Sequence, residues 1–189
     1  MLYNNSKIYN LIKNLLEKIE IKKIETEEAE IKNHIIIIGF HRIGYILAHK
    51  ILEKTKNIIV VDFDPAIEKA LKKENIPHIL GDIMDDEVLA KLNIEKAKLI
   101  ISTIPHNEEN LFILEKLKDK NIPIIVTATN VFDAMNYYKL GAFYVIIPHF
   151  LGGEKAGELI LSILDNLENN KVTEEHKKYL QSKIELEHL

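Results

Sequence analysis

The sequence predicts an α/β protein built on a doubly wound, parallel sheet of six strands. Three observations lead to this prediction. Short runs of branched apolar residues alternate with segments of helical periodicity, the first run is followed at once by a glycine turn and a helix, and the second run ends in an acidic residue. Strands that are buried on both faces of a parallel sheet are continuously apolar, and helices connect them.

The first strand–helix–strand unit has the order of a Rossmann-like nucleotide-binding fold. The strand at 35–38 is followed by Gly39 and Gly44, which permit a sharp turn and close packing of the next helix. The free amides and the dipole at the start of that helix attract anions. The second strand, at 58–61, leads into Asp62, which lies 23 residues after Gly39. An acid at about this spacing binds a ribose diol in such folds.

The glycine turn departs from the dinucleotide fingerprint at one position. Its sequence is G-F-H-R-I-G, so His41 stands where a middle glycine would let a pyrophosphate approach the backbone. His41 either donates a hydrogen bond to a phosphate or fills the space of the pyrophosphate. Arg42 opposes the dipole at the helix start, which favours a ligand role for its charge.

The rest of the chain continues the alternation of strands and helices. Further strands are predicted at 76–80, 98–102, 122–128 and 143–147, the last closed by Pro148. Helices are predicted at 66–74, 87–92, 108–120, 131–140 and 151–167, and a last short helix runs from about 173 to 186. The predicted helix caps are Asp64, Asp85 or Asp86, Asn107, and Asn130 with Asp133, and Gly141 is predicted to stop the helix that ends at Leu140.

Three segments are predicted. Residues 1–32 form an N-terminal amphipathic helix and linker, residues 33–150 form the Rossmann-like domain, and residues 151–189 form a crossover or dimerisation helix with a C-terminal tail. The N-terminal helix either packs on its own domain or on a dimer mate, or connects to another module. Gly152 and Gly153 are interpreted as a flexible exit toward the crossover helix, and Gly157 as a site of close helix contact.

Composition and spacing argue against several function classes. The net charge of −4 argues against nucleic-acid binding, and the histidines show no spacing typical of a metal site. The chain has no cysteine, which excludes a disulfide framework and thiol chemistry. It has no apolar run near the roughly 20 residues that a membrane-spanning helix needs. Tyr179 and Lys183 have the spacing of a reductase proton-transfer pair, but they lie on a charged terminal helix. No enzyme activity and no catalytic or metal-binding residue is therefore predicted.

Ligands of parallel sheets bind at the carboxyl ends of the strands, which gives a candidate site directly. Small hydroxyls, amides and acids follow the strands, as a nucleotide sugar and phosphate would require. Asp64, Asn107 and Asn130 are also explained by helix capping, whereas Asp62 ends a buried strand and is the better candidate ligand. The candidate binding residues are Gly39, Phe40, His41, Arg42, Ile43, Gly44, Asp62, Phe63, Asp64, Gly81, Asp82, Ile83, Thr103, Asn107 and Thr129.

Several segments together resemble the regulator of potassium conductance (RCK) domain, also called KTN or TrkA N-terminal domain. The resemblance covers about residues 33–170 and depends on IIIIGFHRIG, VVDFDP, ILGDI at 79–83, LIISTIPHNEENL and KLGAFYVIIP. It implies that Gly39–Gly44 is the family's glycine loop, that Asp62 is its ribose-binding acid, and that Gly81-Asp82 is its Gly-Asp pair. Thr103 matches the family's hydroxyl after the fourth strand.

The resemblance also implies a function. Domains of this family lie on the cytoplasmic side of potassium channels, potassium uptake systems and cation/proton antiporters, and they gate transport in response to ligands such as NAD(H), AMP or ATP. The loop with His41 looks most like the domains of Kef-type antiporters. The resemblance therefore predicts a nucleotide-sensing regulatory homodimer at the cytoplasmic face of a membrane transporter, with AMP favoured because His41 replaces the middle glycine.

Two other interpretations stay open. The first is a small NAD(P)-dependent oxidoreductase. The second is a dimerising module that has lost its ligand, for which His41 is the supporting observation.

Overall fold

The computed structural model describes residues 31–164 and 171–181, along which six strands alternate with seven helices. The strands are β1 (Ile35–Ile38), β2 (Ile58–Asp62), β3 (His78–Leu80), β4 (Leu99–Ser102), β5 (Ile124–Thr127) and β6 (Tyr144–Ile146). The helices are α1 (Arg42–Leu52), α2 (Pro65–Lys73), α3 (Asp86–Lys91), α4 (Asn107–Leu117), α5 (Val131–Lys139), α6 (Pro148–Leu164) and α7 (Lys171–Gln181), with a 3₁₀ turn at Ile94–Lys96. None of these described helices combines the length and apolar character needed to cross a membrane.

The strands form one parallel sheet of order β3-β2-β1-β4-β5-β6, which confirms the predicted doubly wound fold. At the centre, Ile37 of β1 is in register with Val60 of β2 and with Ile101 of β4. The chain therefore moves outward in one direction from β1 to β3, and in the other direction from β4 to β6. Because the strand order reverses between β1 and β4, a crevice is expected at the carboxyl ends of these two strands.

Both faces of the sheet are buried, which explains the continuous apolar runs in the sequence. Side chains alternate across a strand, so neighbouring isoleucines of β1 enter different cores. Ile36 and Ile38 belong to the larger core, which also contains Leu114 and Tyr137, whereas Ile37 belongs to the core on the opposite face. β1 is one of the two central strands, and the glycine turn of the site follows its buried end.

Local capping signals set most of the helix boundaries. Asp64 and Asp85 each accept a hydrogen bond from the amide two residues onward at 2.8 Å, and Asn130 accepts one from the amide three residues onward at 2.9 Å. Such caps typically contribute about 1 kcal/mol each. Gly141 follows α5 with φ +96°, a conformation that glycine adopts without strain. These four positions confirm the predicted starts of α2, α3 and α5 and the predicted stop after α5.

Several predicted boundaries are wrong. His106, not Asn107, occupies the N-cap position of α4, and Asn107 is its first residue. Pro148 does not close the sixth strand but begins α6, where its fixed φ suits the first helical position. Gly152 and Gly153 consequently lie inside α6 rather than in a flexible exit before it. The predicted strands at 76–80, 122–128 and 143–147 are each shorter in the structure.

Some predictions fall outside the described residues. These are the N-terminal helix within 1–30, the end of the crossover helix at Leu167, and the chain from 182 onward. The helix bounds above are therefore those of the described part of the chain.

Candidate functional site

A cleft of about 850 Å³ opens at the carboxyl ends of the strands, where the strand order reverses. It extends from the ends of β2 and β3 on one side to the ends of β4 and β5 and the start of α6 on the other. Most of the predicted site residues line it: Gly39, His41, Arg42, Ile43, Asp62, Phe63, Gly81, Asp82, Ile83, Thr103 and Thr129.

The glycine turn after β1 is held against β4. Gly39 has φ +84°, and a Cβ atom placed there would lie 2.9 Å from the Thr103 Oγ1 atom. A Cβ atom on Gly44 would lie 2.0 Å from the carbonyl oxygen of Gly39, so α1 packs closer to the turn than any other residue would allow. The Thr103 hydroxyl donates to the carbonyls of Ile38 and Gly39 at 3.1 and 3.0 Å. The hydroxyl proton of Thr103 thus stabilises the turn, and the hydroxyl oxygen can still accept a hydrogen bond.

The first turn of α1 is suited to bind an anion. The first amides of a helix have no acceptor within the helix, and the helix dipole adds a partial positive charge. His41 takes the N-cap position in an extended conformation without a side-chain cap, and it lines the cleft. The first turn contains no acidic residue, and Arg42, the first residue of the helix, also lines the cleft. A phosphate at this position would meet backbone amides, a guanidinium group and an imidazole.

Asp62 is fixed beside this anion site. It is the last residue of β2 and is only 7% exposed. Its Oδ2 atom accepts from the Phe40 amide at 2.8 Å, and its Oδ1 atom accepts from the Asp64 amide at 2.9 Å. Each carboxylate oxygen has a second lone pair, so two further donors can be accepted. The carboxylate can therefore hold the glycine turn and bind a ribose diol at the same time.

The Gly81-Asp82 pair continues the same side of the cleft. The Gly81 amide donates to the carbonyl of Asp62 at 2.9 Å, which continues the β2–β3 ladder. A Cβ atom on Gly81 would lie 2.6 Å from the Val88 side chain, so α3 packs directly over this residue. Asp82 accepts from the amide of Met84 at 2.8 Å and lines the cleft. The polar Asp82 and the apolar Ile83 thus lie side by side in the wall of the cleft.

Four predicted site residues lie outside the cleft. Phe40 is fully buried in the smaller core, and Gly44 packs beneath the turn. Asp64 caps α2. The Asn107 side chain accepts a hydrogen bond from the Tyr137 hydroxyl at 2.8 Å and so joins α4 to α5.

The cleft also contains residues that the sequence prediction did not include: Ile104, Pro105, His106, Glu109, Ala128, Pro148 and His149. His106 and Glu109 lie in and just after the loop that follows β4. Pro148 and His149 follow β6, and the rule that ligands meet strand ends would have found them if it had been extended to the sixth strand. The sequence contains no signal that identifies Glu109 as a cleft residue, because an acidic residue in the first turn of a helix is already explained by the helix dipole.

Comparison with known proteins identifies related chains. Residues 35–148 match the family model described as TrkA-N domain. Over 161 residues the chain is 32% identical to "Probable potassium channel protein 2" of Methanocaldococcus jannaschii, with 80% of this chain and 46% of that protein covered. The chain thus spans about half the length of this curated relative.

Two solved structures share the fold. The TrkA-N domain of the inner membrane protein ybaL from Escherichia coli has a TM-score of 0.64 and 26% identity, and the match covers 69% of this chain and 98% of that domain. The Kef CTD of Shewanella denitrificans, solved in an AMP-bound form, has a TM-score of 0.59 and 20% identity, with 82% and 94% covered. The six-stranded sheet and the cleft described above are thus set in a fold that occurs in parts of membrane proteins.

Proposed function

The chain belongs to the TrkA-N domain family, and we propose that it is a non-catalytic, nucleotide-sensing domain that regulates monovalent cation transport. The single observation that carries this proposal is the position of Asp62. Its buried carboxylate is fixed by two backbone amides beside an anion-binding helix start, with lone pairs left for a ribose. Its transporter, in the same or another chain, is a channel or a Kef-type cation/proton antiporter, and the domain acts at the cytoplasmic face of the membrane.

The ligand that we propose is an adenine nucleotide, with AMP favoured over NAD(H) and ATP. The AMP-bound form of the related Kef CTD supports this class of ligand. His41 lines the cleft and stands in the glycine turn where a middle glycine would admit a pyrophosphate, which supports a preference for a single phosphate. A single phosphate can instead accept hydrogen bonds from the start of α1 without displacing this imidazole.

Regulation also requires a moving part, and we propose that α6 provides it as the seam of a homodimer. No residue of this 17-residue helix is buried, although it carries Leu159, Ile160, Leu161 and Leu164. A Cβ atom on Gly157 would meet nothing within 4 Å in this protomer, so a second helix could approach closely there. Because α6 starts at Pro148 and His149 in the cleft wall, a nucleotide would bias the angle at which this helix leaves the domain.

Calorimetric titration of the purified chain with AMP tests the proposed function. We expect one saturable site per protomer, and no consumption of NADH in the presence of carbonyl substrates. A chain that binds no adenine nucleotide would support the module that has lost its ligand. NADH turnover would support the oxidoreductase.

A further inference from the structure

Glu109 carries a carboxylate oxygen that the fold leaves without a partner. The residue lies in the first turn of α4 and lines the cleft beyond β4. Its Oε2 atom is shielded from solvent, and it has no hydrogen-bond partner among the described residues. This contrasts with Asp62, both of whose carboxylate oxygens accept backbone amides. No donor of the described residues offsets the charge at this oxygen, so the Glu109 carboxylate adds negative charge to this end of the cleft.

The two helices that start at the cleft differ in charge. The first turn of α1 has no acid, and this helix begins with Arg42. The first turn of α4 contains Glu108 and Glu109, whose carboxylates offset the positive end of the helix dipole. These charges therefore favour an anion at the start of α1 over one at the start of α4.

The sheet order determines which part of a nucleotide approaches α4. Strands β2, β1 and β4 are neighbours in the sheet, in that order. Asp62 ends β2, the anion site follows β1, and Glu109 lies beyond the end of β4. A nucleotide whose ribose binds Asp62 and whose α-phosphate binds α1 would direct any further group toward Glu109. A second or third phosphate would thus approach the Glu109 carboxylate.

We propose that Glu109 is a specificity-determining residue that rejects nucleoside di- and triphosphates. It admits adenine nucleotides that end at the α-phosphate or continue into an uncharged or cationic group able to donate a hydrogen bond. This inference depends on the proposed function and deepens it, because it specifies which nucleotides the cleft can bind.

A pair of adjacent glutamates gives a matched test. Calorimetric titration with AMP and with ATP compares the wild type with Glu109→Gln and Glu108→Gln. Both variants remove one negative charge from the same helix turn, but Glu108 is exposed and does not line the cleft. The titrations are run in EDTA at pH 8, where neither Mg²⁺ nor protonated histidine masks the phosphates. Thermal unfolding of each variant shows that the fold is kept.

Repulsion between like charges at close range in a partly shielded site predicts a preference of the wild type for AMP over ATP of about tenfold to a hundredfold. We expect Glu109→Gln to reduce this preference about threefold or more through tighter binding of ATP, and to leave the part of the preference that His41 imposes. Glu108→Gln should retain the wild-type preference. Equal affinities of the wild type for AMP and ATP, or the same shift in both variants, would overturn the role of Glu109. These results would leave AMP binding intact, whereas a wild type that binds neither nucleotide would refute the proposed function together with this inference.

Discussion

Replacement of Asp62 by alanine should affect both nucleotide binding and the glycine turn, and the two effects can be separated. The carboxylate accepts from the buried amide of Phe40 and from the amide of Asp64. Without it the Phe40 amide is left without its acceptor, which costs about 1–3 kcal/mol of stability. Loss of a charged hydrogen bond to the ribose should cost about 1.5–3 kcal/mol of binding free energy, so AMP affinity should fall about tenfold to a hundredfold.

Asp64→Ala is the matched control for this change. Asp64 is also an acid, two residues beyond the end of β2, but its side chain caps α2 and does not line the cleft. We expect this variant to lose about 1 kcal/mol of stability and to retain its affinity for AMP. Urea unfolding gives the stability of each variant, and calorimetry gives the affinity.

The same assay distinguishes NAD from NADP. The 2′-phosphate of NADP would meet the Asp62 carboxylate, so the wild type should bind NADP much more weakly than NAD, and Asp62→Ala should reduce that difference. The reasoning would be refuted if Asp64→Ala weakened AMP binding as much as Asp62→Ala. In that case the loss would come from the stability of the turn and not from a contact with the ribose.

Three further predictions concern the glycine turn, the dimer and pH. His41→Gly should raise the affinity for NAD relative to the affinity for AMP, because it opens space for a pyrophosphate while glycine is still accepted as an N-cap. An unchanged ratio of the two affinities in calorimetry would mean that the imidazole points away from the pyrophosphate. The wild type should sediment as a dimer at micromolar concentration, and the double variant Ile160→Asp, Leu164→Asp should sediment as a monomer. The control Ser162→Asp, on the same helix, should remain dimeric. A monomeric wild type would contradict the proposed seam. Burial lowers the pKa of His34 from its ordinary value of 6.5. The unfolded chain therefore takes up a proton at a higher pH than the folded chain does. Stability should be retained above about pH 6.5 and lost as the pH falls toward the lowered pKa. Urea unfolding at several pH values should show this loss, and His34→Gln, which keeps a donor for the Leu92 carbonyl, should reduce it; equal pH slopes for the two proteins would exclude His34 as the cause.

The parts of the fold that the sequence predicts are those that local chemistry determines. Gly39 and Gly44 are required because a Cβ atom at either position would contact the turn or Thr103 too closely. Asp62 is identifiable because an acid at the end of a fully buried strand needs a partner. The caps at Asp64 and Asn130 satisfy amides within their own helix turn, so no distant residue is needed to predict them.

The parts that the sequence does not predict depend on distant contacts. Asn107 would serve as a cap by its residue type, but the Tyr137 hydroxyl, 30 residues away, binds its side chain. Gly152 and Gly153 suggest a break because each costs about 1 kcal/mol in a helix interior, yet α6 continues through them. The placement of His149 in the cleft depends on how far α6 extends back toward β6, which the local sequence around Pro148 does not specify.

The central claim is that Asp62 and the start of α1 hold an adenine nucleotide without a 2′-phosphate, and native mass spectrometry of the purified chain tests it most directly. The account predicts that an adenine nucleotide, AMP before any other, is retained by the wild type or taken up from an equimolar mixture of AMP, NAD, NADP and ATP. The same mixture should leave Asp62→Ala largely unoccupied. Retention of NADP by the wild type, or equal occupancy of the wild type and Asp62→Ala, would contradict the account.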